Sequence, residues 1–245
     1  MKIRLPRLPA TFRLGTLQLV LLAAACTAAI LAPAAQRLYK AHELELVDAE
    51  QMASQAAIVS LRDEIRLLRQ YDRILSALDF LSQGRLDSAD LLQTTRMLCA
   101  LSRSVGFDPL LILAVVSVES RGNPYAQGRF RSGDASGAVG LMQIKFETAR
   151  LVGKRIGMPI RVERELLRPD VNLLYGTAFL LQMVQRYGSL EKGLIAYNIG
   201  PGTLEQKMTA RTRLPRRYYN RVLSNYRGLV NRFGEDPFAR RLEEE

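Results

Sequence analysis

Glu119 is the residue of this 245-residue chain best placed to do chemistry. It closes an otherwise apolar run, Leu110-Leu111-Ile112-Leu113-Ala114-Val115-Val116-Ser117-Val118. Asp108 offers an N-cap oxygen and Pro109 suits the first helical position, so the run reads as a helix with Glu119 in its last turn. Burial beside valines desolvates the carboxylate, and the helix C-terminus carries partial negative charge; each raises its proton affinity. A carboxylic acid still protonated near neutral pH is what a general acid requires. The bland alternative is a solvated charge that ends a core helix.

Three further stretches carry groups that could line a polar cleft: Gly140-Leu141-Met142-Gln143, Ala196-Tyr197-Asn198-Ile199-Gly200-Pro201-Gly202 and Arg216-Arg217-Tyr218. Glycine lets backbone pass close to a ligand, while the Gln143 amide can donate and accept hydrogen bonds. Taken singly, the first reads as a loop entering a helix and the second as a helix stop. The only histidine, His42, and the two cysteines, Cys26 and Cys99, lie far apart in sequence. A zinc site and a Ser-His or Cys-His catalytic pair are therefore excluded, and no cofactor is expected. Cys99 reads as a buried structural thiol.

Glu119-Ser120 followed by these three stretches, in this order, resembles the soluble lytic transglycosylase family over roughly residues 106 to 226. The resemblance implies a lysozyme-like catalytic domain that cleaves peptidoglycan between N-acetylmuramic acid and N-acetylglucosamine. It implies Glu119 as the single catalytic acid and base. Ser120, Gly140, Leu141, Met142, Gln143, Tyr197, Asn198 and Tyr218 are implied as substrate-side residues, with Tyr218 near enough to hydrogen-bond Glu119 and Ser120 supporting the backbone. The family commonly carries Ser nine residues before the motif's Gln, where this chain has Asp134, and the stretch from Glu119 to Gln143 is longer than usual. Asp134 is accordingly the candidate to position water in an alternative reading, a hydrolytic muramidase like goose-type lysozyme. A non-catalytic module that binds glycan strands is the alternative from another class. The chain has no Trp, so Tyr125, Phe130, Phe146, Tyr197 and Tyr218 are the candidates for stacking on sugars.

The elements that must position these residues read as mainly α. Asp87-Ser88 caps a helix through about Ser104, Gln143 to Leu151 reads as a short helix, Asp170 caps one reaching Tyr187, Ser189 caps another ending near Asn198, and Pro215 to Arg232 forms the last. Residues 121–140 and 153–169 are expected to be irregular. Upstream, Leu44, Val47, Ile58, Leu61, Ile65 and Leu68 recur at three- and four-residue steps, interrupted by Gln51 and Ser54, and the stripe then drifts onto Leu67, Tyr71, Ile74, Leu78 and Leu81. This reads as a long amphipathic helix, either a pairing stalk or a segment packed on the following domain. A protein partner or self-association through the stalk is one expectation.

Lys2, Arg4, Arg7 and Arg13 precede an uncharged stretch from Leu14 to Gln36. It exceeds the roughly 20 residues that cross a bilayer, and its positive flank assigns the following chain to the far side. A cleaved signal peptide is the competing reading, with Ala32-Pro33-Ala34 as the small-residue site; Leu22 to Cys26 resembles a lipoprotein site only faintly. Either leader implies export, to a periplasmic or other extracytoplasmic site, and the uncleaved reading implies anchoring in the inner membrane. The expected organisation is a leader or anchor over 1–36, a helical segment over 37–84, the catalytic domain over 85–233 and a charged tail over 234–245. Lys and Arg outnumber acids by 35 to 24, a net charge of +11 that suits an anionic partner. Peptidoglycan strands and a membrane are the expected partners, and export argues against nucleic acid.

Overall fold

A computed structural model describes residues 10–130 and 132–234, with side chains of 15 and of 18 onward apart from 131. The basic residues Lys2, Arg4 and Arg7, the Arg13 side chain, Arg131 and the tail from 235 lie outside the described residues. The chain divides into two units, at Asp63 and Glu64.

In the first unit the described chain is a single helix, the N-terminal part of α1 (Ala10–Ser82). Its apolar window has a mean hydropathy of 1.9, so α1 is long and apolar enough to cross a membrane by length and composition. Leu19 to Leu22, Ile30 and Leu31 are exposed.

The second unit begins with the last turns of α1, whose Ile74, Ala77 and Leu78 are fully buried in its core. Helix α2 (Ser88–Val105) follows, capped by the Asp87 side chain, which accepts from the Asp90 N–H at 2.8 Å. Helix α3 (Pro109–Glu119) then turns by 120° relative to α2. Every residue of α3 from Pro109 to Val116 is buried. A helix apolar all round has no solvent face, so it sits at the centre of the core, enclosed by α1, α2 and the later helices. The remaining helices are α4 (Phe146–Arg155), α5 (Pro169–Tyr187), α6 (Leu190–Ile199), α7 (Pro201–Thr209) and α8 (Arg217–Phe233). A 3₁₀ turn covers Glu163–Leu167.

Residues 121–140 are not wholly irregular. They contribute β1 (Gln127–Arg129) and β2 (Ala135–Val139), which join β3 (Ile144–Lys145) in an antiparallel sheet of order β1-β2-β3. Gln127 pairs with Val139 and Arg129 with Ala135, with a bulge between; Val139 pairs with Ile144. Strands of two to five residues containing Gly128 and Gly137 are too short to show an alternating pattern. Ile144, Ala149, Val152, Ile160, Leu166 and Tyr175 form a second apolar cluster beneath this sheet and α4.

Other boundaries shift for local reasons. The helix expected from Gln143 begins at Phe146, because Gln143 has φ of 48° and Ile144 and Lys145 are spent on the sheet. Helix α5 starts with Pro169 rather than at an Asp170 cap; Asp170 instead accepts from Arg168 at 2.9 Å. Gly200-Pro201 ends α6 and also opens α7, since proline is favoured as a first helical residue.

Candidate active site

Glu119 is held from both directions along α8. The Tyr218 hydroxyl donates to Glu119 Oε1 at 2.5 Å. Farther along, Asn225 Nδ2 donates to Ser117 Oγ at 3.0 Å, and the Tyr226 hydroxyl donates to Asp108 Oδ2 at 2.7 Å. Early α8 thus meets late α3 and late α8 meets early α3, an antiparallel clamp that fixes the acid by its own helix. Asp108 uses its other oxygen to cap α3, accepting from the Leu110 N–H at 2.9 Å.

Burial pushes the Glu119 carboxyl up from 4.5 to about 7, the Tyr218 hydrogen bond and the Arg221 charge pulling the other way. The Tyr218 and Tyr197 hydroxyls are pushed well above the usual phenol range, first by burial and then by the Glu119 charge. Both phenols therefore stay protonated as donors. Tyr197 uses its proton on the Met142 carbonyl at 2.7 Å.

The turn after Glu119 is pinned to the end of α1. Ser120 is buried, its hydroxyl donating to the Val116 carbonyl at 3.2 Å. Gly122 has φ of 71°, and a Cβ there would come within 2.3 Å of the Leu81 carbonyl oxygen. Arg85 spans the same junction, donating to the Leu81 and Arg121 carbonyls at 3.1 and 2.7 Å.

A buried amide organises the opposite wall. Asn172, in the first turn of α5 and fully buried, accepts from the Met142 N–H and donates to the Val139 and Leu166 carbonyls, each at 2.8 Å. Gly140 lies against it with φ of 78°, and a Cβ there would fall 2.1 Å from Asn172 Nδ2. Leu141 and Met142 are fully buried behind the wall. Gln143 faces forward, yet its Nε2 donates inward to the Ala126 and Gly140 carbonyls at 3.0 and 2.9 Å. The expectation that this amide both donates and accepts outward is corrected: its protons are spent on the loop, which leaves Oε1 as the outward acceptor.

These walls enclose a cleft of about 540 Å³ lined by Glu119, Gln143, Tyr197 and Asn198. Of the residues expected at the site, Ser120, Gly140, Leu141, Met142 and Tyr218 stand behind this lining, where their contacts orient the groups that form it. Ser136, Lys145, Thr148 and Phe179 also line the cleft and were not anticipated. Phe130 contributes its ring, 5.6 Å from Lys145 Nζ, and the Phe179 and Tyr197 rings pack 5.4 Å apart. Tyr125 and Phe146 are not in the lining. Asp134 is also outside it: exposed in the β1–β2 turn, it accepts from Ser132 Oγ at 2.8 Å. Among the described residues lining the cleft, Glu119 is the only carboxylic acid.

A mainly helical domain with a small antiparallel sheet on one side of a cleft, and an acid at the end of its central helix on the other, has a lysozyme-like fold. Residues 100–220 match the transglycosylase SLT domain family. The chain is 31% identical over 143 residues to the transglycosylase of Enterobacteria phage PRD1, a match that covers 58% of this chain and 46% of the relative. The chain thus spans less than half the length of that relative. The 70-kDa soluble lytic transglycosylase of Escherichia coli shares the fold, with a TM-score of 0.50 at 21% identity over 65% of this chain and 30% of that one. An inactive mutant of the lytic transglycosylase Slt of Pseudomonas aeruginosa matches at 25% identity and a TM-score of 0.47, over 58% of this chain and 25% of that one.

Proposed function

We propose that the chain is a peptidoglycan lytic transglycosylase that acts outside the cytoplasm and is anchored by the apolar part of α1. The observation that carries this reading is Glu119: the one carboxylic acid among the described residues of the cleft wall, raised by burial to about 7. Ordinary glycosidases need a second carboxylate, to attack the sugar or to activate water. Here the Glu119 proton passes to the oxygen of the bond between N-acetylmuramic acid and N-acetylglucosamine as the C1–O bond breaks. The muramyl 2-acetamido oxygen bonds to C1 as the leaving group departs. The muramyl C6 hydroxyl oxygen then displaces it from C1 and returns a proton to the Glu119 carboxylate. The product is a 1,6-anhydromuramyl end, and no water is consumed.

A pKa near neutrality suits a group that must give and then retake a proton. In this reading Tyr218 steadies the carboxylate between the two steps, Asn198 and Gln143 Oε1 contact the sugar, and Tyr197, Gly140, Leu141, Met142 and Ser120 hold the frame. A hydrolase would call on Asp134, which stands outside the cleft lining.

Mass spectrometry of fragments released from isolated cell walls tests the proposal. The full chain yields anhydromuramyl ends and Glu119→Gln yields almost none. Reducing ends instead would make the protein a hydrolase, and unaltered walls would make it a binding module. A reporter fused after Glu245, active only outside the cytoplasm, tests the sidedness.

A further inference from the structure

The exposed apolar side chains of α1 beyond its membrane-length stretch are not scattered. In the part that belongs to the first unit, Leu44, Val47, Ile58 and Leu61 are 46–64% exposed. With Gln51 and Ser54 they occupy the first and fourth positions of a seven-residue repeat, which continues at Ile65 and Leu68. Between 44 and 68 the other positions of the repeat hold few large apolar residues, namely Leu46, Met52, Val59 and Leu67. A seam with a period of 3.5 residues is that of helices winding around each other, whereas a helix laid on a domain core presents a broader stripe with a period of 3.6.

The composition of the seam selects its partner. A β-branched residue at the first position and Leu at the fourth, as in Ile58-Leu61 and Ile65-Leu68, favour two parallel strands. Gln51 stands at a first position, where a polar side chain costs stability and fixes the register. Its amide both donates and accepts, so opposite its own copy each amide satisfies the other, and Ser54 adds a hydroxyl about one turn on. A partner with a purely apolar groove would leave these groups unpaired. In a parallel pair the residue before each first position meets a residue five places on in the other copy. That sets Glu64 opposite Arg69 and Glu50 opposite Gln55, both attractive, and Glu43 opposite Asp48, which repel. An antiparallel pair about the same polar layer would set Glu43 against Glu64 and gain no opposite charges. We propose that residues 44–68 of α1 pair with the same residues of a second copy of this chain, as a parallel two-stranded coil in register at Gln51. The parallel sense rests on the anchor proposed above, since two copies inserted in one membrane run the same way from it; the pairing itself does not depend on the reaction.

The test uses the full chain in lipid vesicles, in a Cys26→Ser background; the other thiol, Cys99, is buried. Val47→Cys lies on the seam and Ala49→Cys on the opposite side of the helix. On oxidation with copper phenanthroline, Val47→Cys forms a covalent dimer and Ala49→Cys forms it at least about 10-fold more slowly, because only seam positions bring the two Cβ atoms within disulfide reach. Equal rates, the mark of chance collision, overturn the proposal. So does crosslinking of Val47→Cys to Ile58→Cys without crosslinking to itself, since in an antiparallel pair the two Val47 positions lie about 16 Å apart along the axis. Sedimentation equilibrium in density-matched neutral detergent gives the second readout. The wild-type chain sediments at twice the mass of one chain, and the double variant Ile58→Asp and Leu61→Asp at the mass of one, with the thermal midpoint of the catalytic domain unmoved. A wild-type mass of one chain or of three, or a variant that remains double, overturns the proposal. A chain that pairs but cleaves no cell wall would leave the pairing standing and sink the functional reading; one that cleaves walls but sediments singly would do the reverse.

Discussion

The proton on Glu119 should be visible in the stability of the fold as well as in its activity. The carboxyl rises from 4.5 to about 7, a difference of about 2.5 units, and each unit is worth 1.36 kcal/mol. Glu119 is half-buried, so partial screening brings the cost of ionising it in the folded protein to about 2–3 kcal/mol. The folded pKa lies above the unfolded one, so the folded state holds the proton more tightly. The associated stability is complete below about pH 4.5 and is lost as pH rises through 7. Glu119→Gln keeps the shape and the acceptor for Tyr218 and removes the titration. At pH 4.5 variant and wild type should therefore unfold at similar temperatures. By pH 8 the variant should be the more stable by about 2–3 kcal/mol, or roughly 5–10 °C for a domain of this size. Thermal and urea unfolding followed by near-ultraviolet circular dichroism between pH 4.5 and 8 measures the difference. A gap between the two proteins that does not change with pH would show that burial does not hold the proton, and the catalytic argument would lose its physical basis.

Three other substitutions probe the rest of the site and its surroundings. Tyr218→Phe removes a hydrogen bond that stabilises the carboxylate; a bond of about 1.5 kcal/mol corresponds to an upward shift of roughly one unit at Glu119, so the alkaline limb of the pH–rate profile moves up while maximal turnover falls. An unmoved limb would count against the contact. Asn172→Ala leaves the Met142 N–H and the Val139 and Leu166 carbonyls without their partner and should destabilise the domain by about 3–5 kcal/mol, read from the urea midpoint; a loss below 1 kcal/mol would mean that this amide does not organise the wall. Asp134→Asn should leave wall-cleaving activity within about twofold of wild type, since the residue lies outside the cleft lining, and a loss on the 10²-fold scale of a missing general base would revive the hydrolytic reading.

What could be read from the sequence follows the range of the forces involved. The start of α3 was legible because capping is local: Asp108 and Pro109 occupy the expected cap and first helical positions. The acid stood out because a carboxylate ends an apolar run. Asn172 gives the same kind of signal, a polar side chain flanked by Val171, Leu173 and Leu174, and it was passed over although it is fully buried and holds the Met142 loop. The small sheet left no readable pattern, because its pairing is made by backbone groups and its strands are too short to alternate. Helix α7 was hidden because Gly-Pro reads as a stop, and only the structure shows that the proline also begins the next helix. The pairing of Tyr218 with Glu119 spans 99 positions and follows from no local rule; the family resemblance alone suggested it.

That long-range pairing explains why the acid needs its own clamp. Desolvation alone favours the protonated form, and a carboxyl buried without compensation would keep its proton through both halves of a give-and-take reaction. The Tyr218 hydroxyl and the Arg221 charge, from one helix, oppose the rise and leave the carboxyl at about 7. Because α8 also grips Ser117 and Asp108, a shift of that helix would change the strength of the acid and its position together. Substitutions within the α3–α8 contact, such as Tyr226→Phe, should therefore alter the pH profile although they touch no substrate. Loss of stability with an unaltered profile would show that the clamp is scaffolding alone.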